Sequence, residues 1–142
     1  MMNLEMAKKL LQTGVKIAKG KGICCSIAIV DENGWLVALH RMDEAPIPTA
    51  EIARDKAWTA AVFRRPSSEI SVFGNPKAPG FGFNTQNWND RLTPIPGGAP
   101  IWVDGHVIGA IGVCSELPDK DVALCQKIIK GIGAILKGKE EP

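Results

Sequence analysis

No apolar run in this chain approaches the ~18 residues that a membrane-spanning helix needs, so no such helix is expected. The N-terminal stretch Met1–Lys9 has no apolar signal core, and we expect a cytoplasmic protein. There is no CxxC pair among the four cysteines, and neither histidine falls at a zinc-ligand spacing, which argues against a structural metal. Charge of one sign is lacking too. The 17 Lys+Arg and 15 Asp+Glu leave a net of +2. That excess is too small and too dispersed for a nucleic-acid footprint. The Lys-rich stretches Lys8-Lys9, Lys16–Lys21 and Lys137–Lys139 read as solvated surface. Standard catalytic signatures are missing: no G-x-S-x-G, no Walker loop and no H-E-x-x-H. Gly80-Phe81-Gly82 lacks the strand–helix context of a dinucleotide fingerprint.

What remains is an ordinary globular composition. Over 142 residues, 45% are hydrophobic and 23% charged, which suits one domain with a true core and excludes a disordered chain. Cys24 and Cys25 are adjacent, so in a strand they face opposite ways. Buried, reduced thiols are the expectation for the cysteines.

Hydrophobic spacing predicts a helix over residues 4–18, with a stripe of Leu4, Ala7, Leu11, Val15 and Ala18, widened by Leu10 and Ile17, and Asn3 as its cap. Residues 24–30 are β-rich. Asn33-Gly34 then signals a hairpin returning along Trp35–Arg41. Thr49 is placed to cap a second helix running to about Arg64, with a face of Ala53, Ala57, Ala60 and Ala61. Arg65 precedes Pro66 and is pushed out of helical geometry; a short helix to about Phe73 follows.

Residues 74–100 are rich in Gly and Pro and show no period, yet hold Phe81, Phe83 and Trp88. A long loop of this kind is usually functional or an interface. Those aromatics predict a homo-oligomer, as anchors for a pocket. Asp104-Gly105 marks a second hairpin, and Gly109 and Gly112 in its return strand mark a bulge or a close backbone approach. A last helix is expected from about Asp119, burying Val122, Cys125, Ile129, Ile132 and Leu136. Two hairpins without parallel crossovers give an α+β domain with an antiparallel sheet.

Three segments resemble one family. Val30–Ala38 with Arg41–Ala45 resembles the "VDxxGxLVAxxRMDxA" stretch of the GlcG/HbpS family, which includes the C-terminal domain of PduO-type proteins. Ile52–Ala60 resembles its "IAxxKAxTA" helix. Pro96–Ile101, Asp104-Gly105 and Ile108–Val113 resemble its "GGxPIxxDGxxIGAIGVS" hairpin. The resemblance covers nearly the whole chain. It implies a profilin-like, three-layer fold with a five-stranded antiparallel sheet and helices on both faces. It also implies homo-oligomers, with haem binding or degradation in some members and roles in glycolate or propanediol use in others. Where many members end the hairpin "GVSGG", this chain has Gly112–Leu117, so Glu116 and Leu117 replace glycines.

The candidate ligand-binding residues are Arg41, Asp43, Lys56, Gly97, Gly98 and Pro100. Arg41 offers a planar donor fork for a carboxylate. With Asp43 it forms either a ligand-facing pair or an internal salt bridge. Lys56 is either a solvated helix charge or a buried partner for Asp31 or for a ligand acid group. Gly97-Gly98 is a chain turn or a ligand cradle. His40 reads as a core or interface histidine and His106 as exposed; neither belongs to the family pattern. The leading expectation is a small-molecule-binding protein, with haem or another carboxylated tetrapyrrole as ligand. Its rivals are an enzyme acting on a small hydroxy acid or aldehyde, with Lys56 or Asp43 as acid or base, and a structural accessory subunit without a ligand. No nucleic-acid or membrane partner is expected.

Overall fold

Asn3 starts the first helix. Its backbone is extended and its Oδ1 accepts from Met6 N at 2.9 Å, which satisfies one orphan donor of helix α1, Leu4–Gly20. The structure, a computed structural model, describes residues 1–77, 79 and 89–133, with only the backbone of 71–74. The expected loop aromatics Phe81, Phe83 and Trp88, as well as Leu136 and the polar tail, lie outside the described residues. The buried stripe of α1 is Ala7, Leu10, Leu11, Gly14 and Ala18; Leu4 is exposed and Val15 half-buried. Gly14 shifts the stripe. A Cβ there would sit 2.6 Å from Ile27 Cδ1 and 2.8 Å from Ile128 Cδ1, so any larger residue would push those side-chain ends aside.

Strand β1 (Ser26–Asp31) turns into β2 (Leu36–Arg41). Asp31 Oδ1 accepts from Asn33 N at 2.9 Å and Trp35 N at 3.0 Å, and Gly34 takes a φ of +87° that glycine adopts without strain. Helix α2 (Thr49–Phe63) follows. Thr49 is not its cap. Pro48 holds that position, and Thr49 Oγ1 donates to Pro46 O at 2.6 Å and meets Ser26 Oγ at 2.9 Å, tying the helix start to β1. Arg64, in the left-handed region at φ 56°, ends α2; a 3-10 helix, Ser67–Gly74, comes next.

Strands β3 (Gly98–Val103) and β4 (His106–Cys114) form the second hairpin, with positive φ at both Asp104 and Gly105. Helix α3 (Pro118–Lys130) closes the described fold. It buries Asp121, Leu124, Cys125 and Ile128; Val122, Ile129 and Ile132 are only partly covered. The expected face was therefore turned by about one residue, because Asp121 is drawn inward.

The sheet is antiparallel with order β2-β1-β4-β3. Strand alternation divides two cores. Ile27, Ile29, Ile111 and Val113 pack with α1 and α3; Ala28, Val30, Ala110 and Cys114 pack with α2. This is an α+β fold with helices on both faces. The expected fifth strand is absent among the described residues. The two hairpins supply four strands, and residues 92–97 before β3 hold Pro94 and Pro96, which cannot donate to a ladder.

Candidate functional site

One end of the sheet collects nearly all the candidate residues. There β1 and β3 begin and β2 and β4 end. Arg41 pairs with Ser26, Ser26 with Cys114, and Gly98 with Gly112. Arg41 and Gly98 thus share an end but stand three strand spacings apart, roughly 14 Å.

Arg41 is exposed, and Nη1 donates to Ala45 O at 3.3 Å. Asp43 is exposed as well. The internal Arg41–Asp43 salt bridge does not form: among the described residues the ion pairs are Arg54–Asp55 at 3.9 Å and Lys56–Asp121 at 3.3 Å. The Arg41 guanidinium turns instead to the Ala45 carbonyl.

Lys56 is neither solvated nor paired with Asp31. It is fully buried, and Nζ donates to Val113 O at 2.8 Å and Asp121 Oδ2 at 3.3 Å. Its position follows from helical spacing, since Ala53, Lys56, Ala57 and Ala60 recur at the i, i+3, i+4, i+7 of one face. That face lies on β4 because Gly112 has no side chain; a Cβ there would strike Ala53 O and stand 2.7 Å from Ala57 N. The close approach expected at Gly112 is therefore present. As a catalytic acid or base Lys56 is sealed from any substrate.

Gly97 and Gly98 wrap Lys56. A Cβ at Gly98 would collide with Lys56 O, and one at Gly97 would lie 3.0 Å from Lys56 Nζ. Gly98 N donates to Ser67 Oγ at 2.8 Å, and Ser67 Oγ donates to Ile95 O at 2.7 Å. Pro100 is buried in β3. In the described structure, then, these glycines cradle a lysine.

Asp121 was not singled out by the sequence, which only starts the last helix near Asp119, two residues earlier. Asp121 is fully buried in the first turn of α3, where a carboxylate complements the helix dipole. Ser115 N donates to both its oxygens at 3.0 Å, and Ser115 Oγ donates to Oδ1 at 2.5 Å. A chain of polar contacts thus runs Lys56–Asp121–Ser115.

Ser115 opens onto a cleft of about 310 Å³. Three segments wall it: residues 22–24 ahead of β1, Glu44 and Pro46 after β2, and the Ser115–Leu117 turn with Lys120 of α3. Glu116 and Leu117, which stand where the family pattern has glycines, are part of that wall. So is Cys24, whose thiol is exposed. The other three cysteines are buried as expected; burial pushes the Cys25 and Cys125 thiols up to about 12 and raises Cys114. His40, on the edge strand, and His106 are both exposed, so His40 is not a core residue. No group of three or more His, Cys, Asp or Glu side chains could hold a metal among the described residues, and no helix there is long and apolar enough to cross a membrane.

An antiparallel sheet between helical layers, with a cleft of small-molecule size at the sheet's end, defines a class of α+β proteins. Within it, this chain belongs to the HbpS-like family, described as "Haem degrading protein HbpS-like", which matches residues 2–130. Protein GlcG of Escherichia coli K12 is 35% identical over 112 residues, 79% of this chain and 80% of GlcG. Among solved structures, protein ORFY of Klebsiella pneumoniae is similar with a TM-score of 0.88 and 26% identity, over 94% of this chain and 91% of ORFY. The PduOC:haem complex is similar with a TM-score of 0.83 and 26% identity, over 91% of this chain and 93% of PduOC. The resemblance read from the three sequence segments is thereby established.

Proposed function

We propose that this chain is a small-molecule-binding protein of the cytoplasm, folded as a single domain, that takes haem or a related carboxylated tetrapyrrole and works as a homo-oligomer. The observation that carries this reading is the likeness to PduOC solved with haem, over 91% of this chain. The cleft's chemistry supports it. Ile23, Pro46 and Leu117 supply apolar wall for a ring edge, and Lys120 lines the same cleft. Arg41 keeps most of its donor fork free beside the Glu44–Pro46 wall. Propionates would be held by Arg41 and Lys120 through charge-assisted hydrogen bonds. When bound, haem would supply an iron centre; the chain's own residues bind and orient it. Asp43, exposed next to Glu44 of the wall, would extend the same rim, while Lys56, Gly97, Gly98 and Pro100 form the framework behind it.

The cleft's 310 Å³ is at the small end of ligand pockets, which run about 300–1,000 Å³. A macrocycle would extend beyond one chain, which favours a second copy as the remaining wall. Exposed Trp35, Leu36 and Ile47 around β2 add apolar surface for assembly.

Two experiments test the reading. Haemin titrated into the protein should give a saturable Soret shift at micromolar concentration; an unshifted spectrum refutes the ligand. Light scattering should give a multiple of the 15.2 kDa chain mass; a clean monomer refutes the assembly.

A further inference from the structure

We propose that the buried Lys56–Asp121 pair is a positioning device for the cleft: it anchors Ser115 and thereby holds the Ser115–Leu117 wall against the segment carrying Cys24. The pair itself never reaches the cleft. Both side chains are fully buried. Asp121 spends Oδ2 on Lys56 and Ser115 N, and Oδ1 on Ser115 N and Oγ. Ser115 Oγ then accepts from Leu117 N at 3.0 Å, so the carboxylate holds the turn directly at Ser115 N and, through the hydroxyl, at Leu117 N. Lys56 is locked from the other side by Val113 O, Gly97 and the α2 face.

The strand register says what this turn faces. Ser26 pairs with Cys114. That last pair brings the two chain segments side by side, and just beyond it both Cys24 and Glu116 line the cleft. Anchoring Ser115 therefore keeps Glu116 and Leu117 in the wall of the cleft that Cys24 shares. Side chains held there limit access to the thiol. Releasing the turn makes Cys24 more reactive. The other three cysteines are buried and stay silent to a polar alkylating agent.

The test is the rate of Cys24 alkylation by iodoacetamide under native conditions, with Cys24→Ser as the blank. Ser115→Ala keeps the Lys56–Asp121 pair, the core and the two Ser115 N bonds but removes the hydroxyl that extends the hold to Leu117. Its rate should rise roughly threefold or more, the change expected from losing one hydrogen bond, with the protein still fully folded in the absence of urea. The double variant Lys56→Met/Asp121→Leu removes both charges together, which proteins often tolerate. It should show the same acceleration. An unchanged rate in the double variant, where every bond from Asp121 to Ser115 is gone, overturns the proposal.

The consequence for ligand binding rests on the tetrapyrrole reading above, and haemin affinity separates the two. A rate increase with haemin binding weakened about tenfold supports both. A rate increase with haemin affinity unchanged sustains the positioning role and places haemin outside the cleft. If the wild-type protein takes up no haemin, the tetrapyrrole reading fails, and the alkylation rate decides the positioning role alone.

Discussion

A Cβ at Gly97 would stand 3.0 Å from Lys56 Nζ and 2.6 Å from Val113 O, so this glycine is what allows a buried ammonium to reach the end of β4. Its φ of +122° is closed to other residues as well. Gly97→Ala should therefore cost stability twice, through backbone strain and through displacement of Lys56. The expected loss is about 1–3 kcal/mol or more, read as a lower urea midpoint. A midpoint equal to wild type would mean that the turn relaxes freely, and the packing argument would fall.

The buried pair predicts an asymmetry between single and double variants. Lys56→Met leaves the Asp121 carboxylate unpaired in the interior, and Asp121→Leu leaves the ammonium so. Each should cost about 3–5 kcal/mol. Replacing both partners should be far milder than the sum of the two. A double-mutant cycle by urea denaturation measures the coupling. Additive losses would show that the two charges are stabilised independently.

Asp55 gives a pH dependence with a definite sign. Its side chain lies beside Arg54 on α2, and burial lifts its carboxyl from 3.8 to about 6 despite the guanidinium. Among the described residues Asp55 Oδ1 has no hydrogen-bond partner to offset that burial. A raised native pKa means that the folded state binds the proton more tightly than the unfolded chain. Its stabilising contribution is present below about pH 4 and is lost as pH rises through about 6. Asp55→Asn should remove this component and stabilise the protein at pH 7 by at most about 3 kcal/mol. Thermal midpoints of the two proteins between pH 4 and 7 check it. Parallel curves would place the Asp55 titration in its ordinary range.

Arg41 separates binding from architecture. It is exposed, has no ion pair with Asp43, and makes one hydrogen bond, to Ala45 O. Arg41→Ala and Asp43→Ala should both leave the denaturant midpoint nearly unchanged. Arg41→Ala should weaken haemin binding roughly ten- to a hundredfold, the worth of a charge-assisted bond of about 1.5–3 kcal/mol. Stability lost together with unchanged affinity would make Arg41 a structural residue.

Much of the architecture was legible along the chain because its causes are local. Asn3 caps the helix it precedes, and Asn33-Gly34 and Asp104-Gly105 close the two hairpins within a few residues. The Ala face of α2 was readable from spacing alone, and Lys56 sits on that face by the same arithmetic. Its partner was not readable. Asp121 is 65 positions away, and an acidic residue in a helix's first turn is equally at home in solvent.

The sequence by itself determined the helices, the hairpins and the family, because caps, turns and hydrophobic periods act over a few residues. Only the tertiary structure decided that Lys56 meets Asp121, that Gly97 and Gly112 make room for that meeting, and that Glu116 and Leu117 wall a cleft with Cys24. Those relationships depend on which strands become neighbours. Burial then imposes what no local pattern encodes: a charge taken out of water must find its opposite, wherever along the chain that lies.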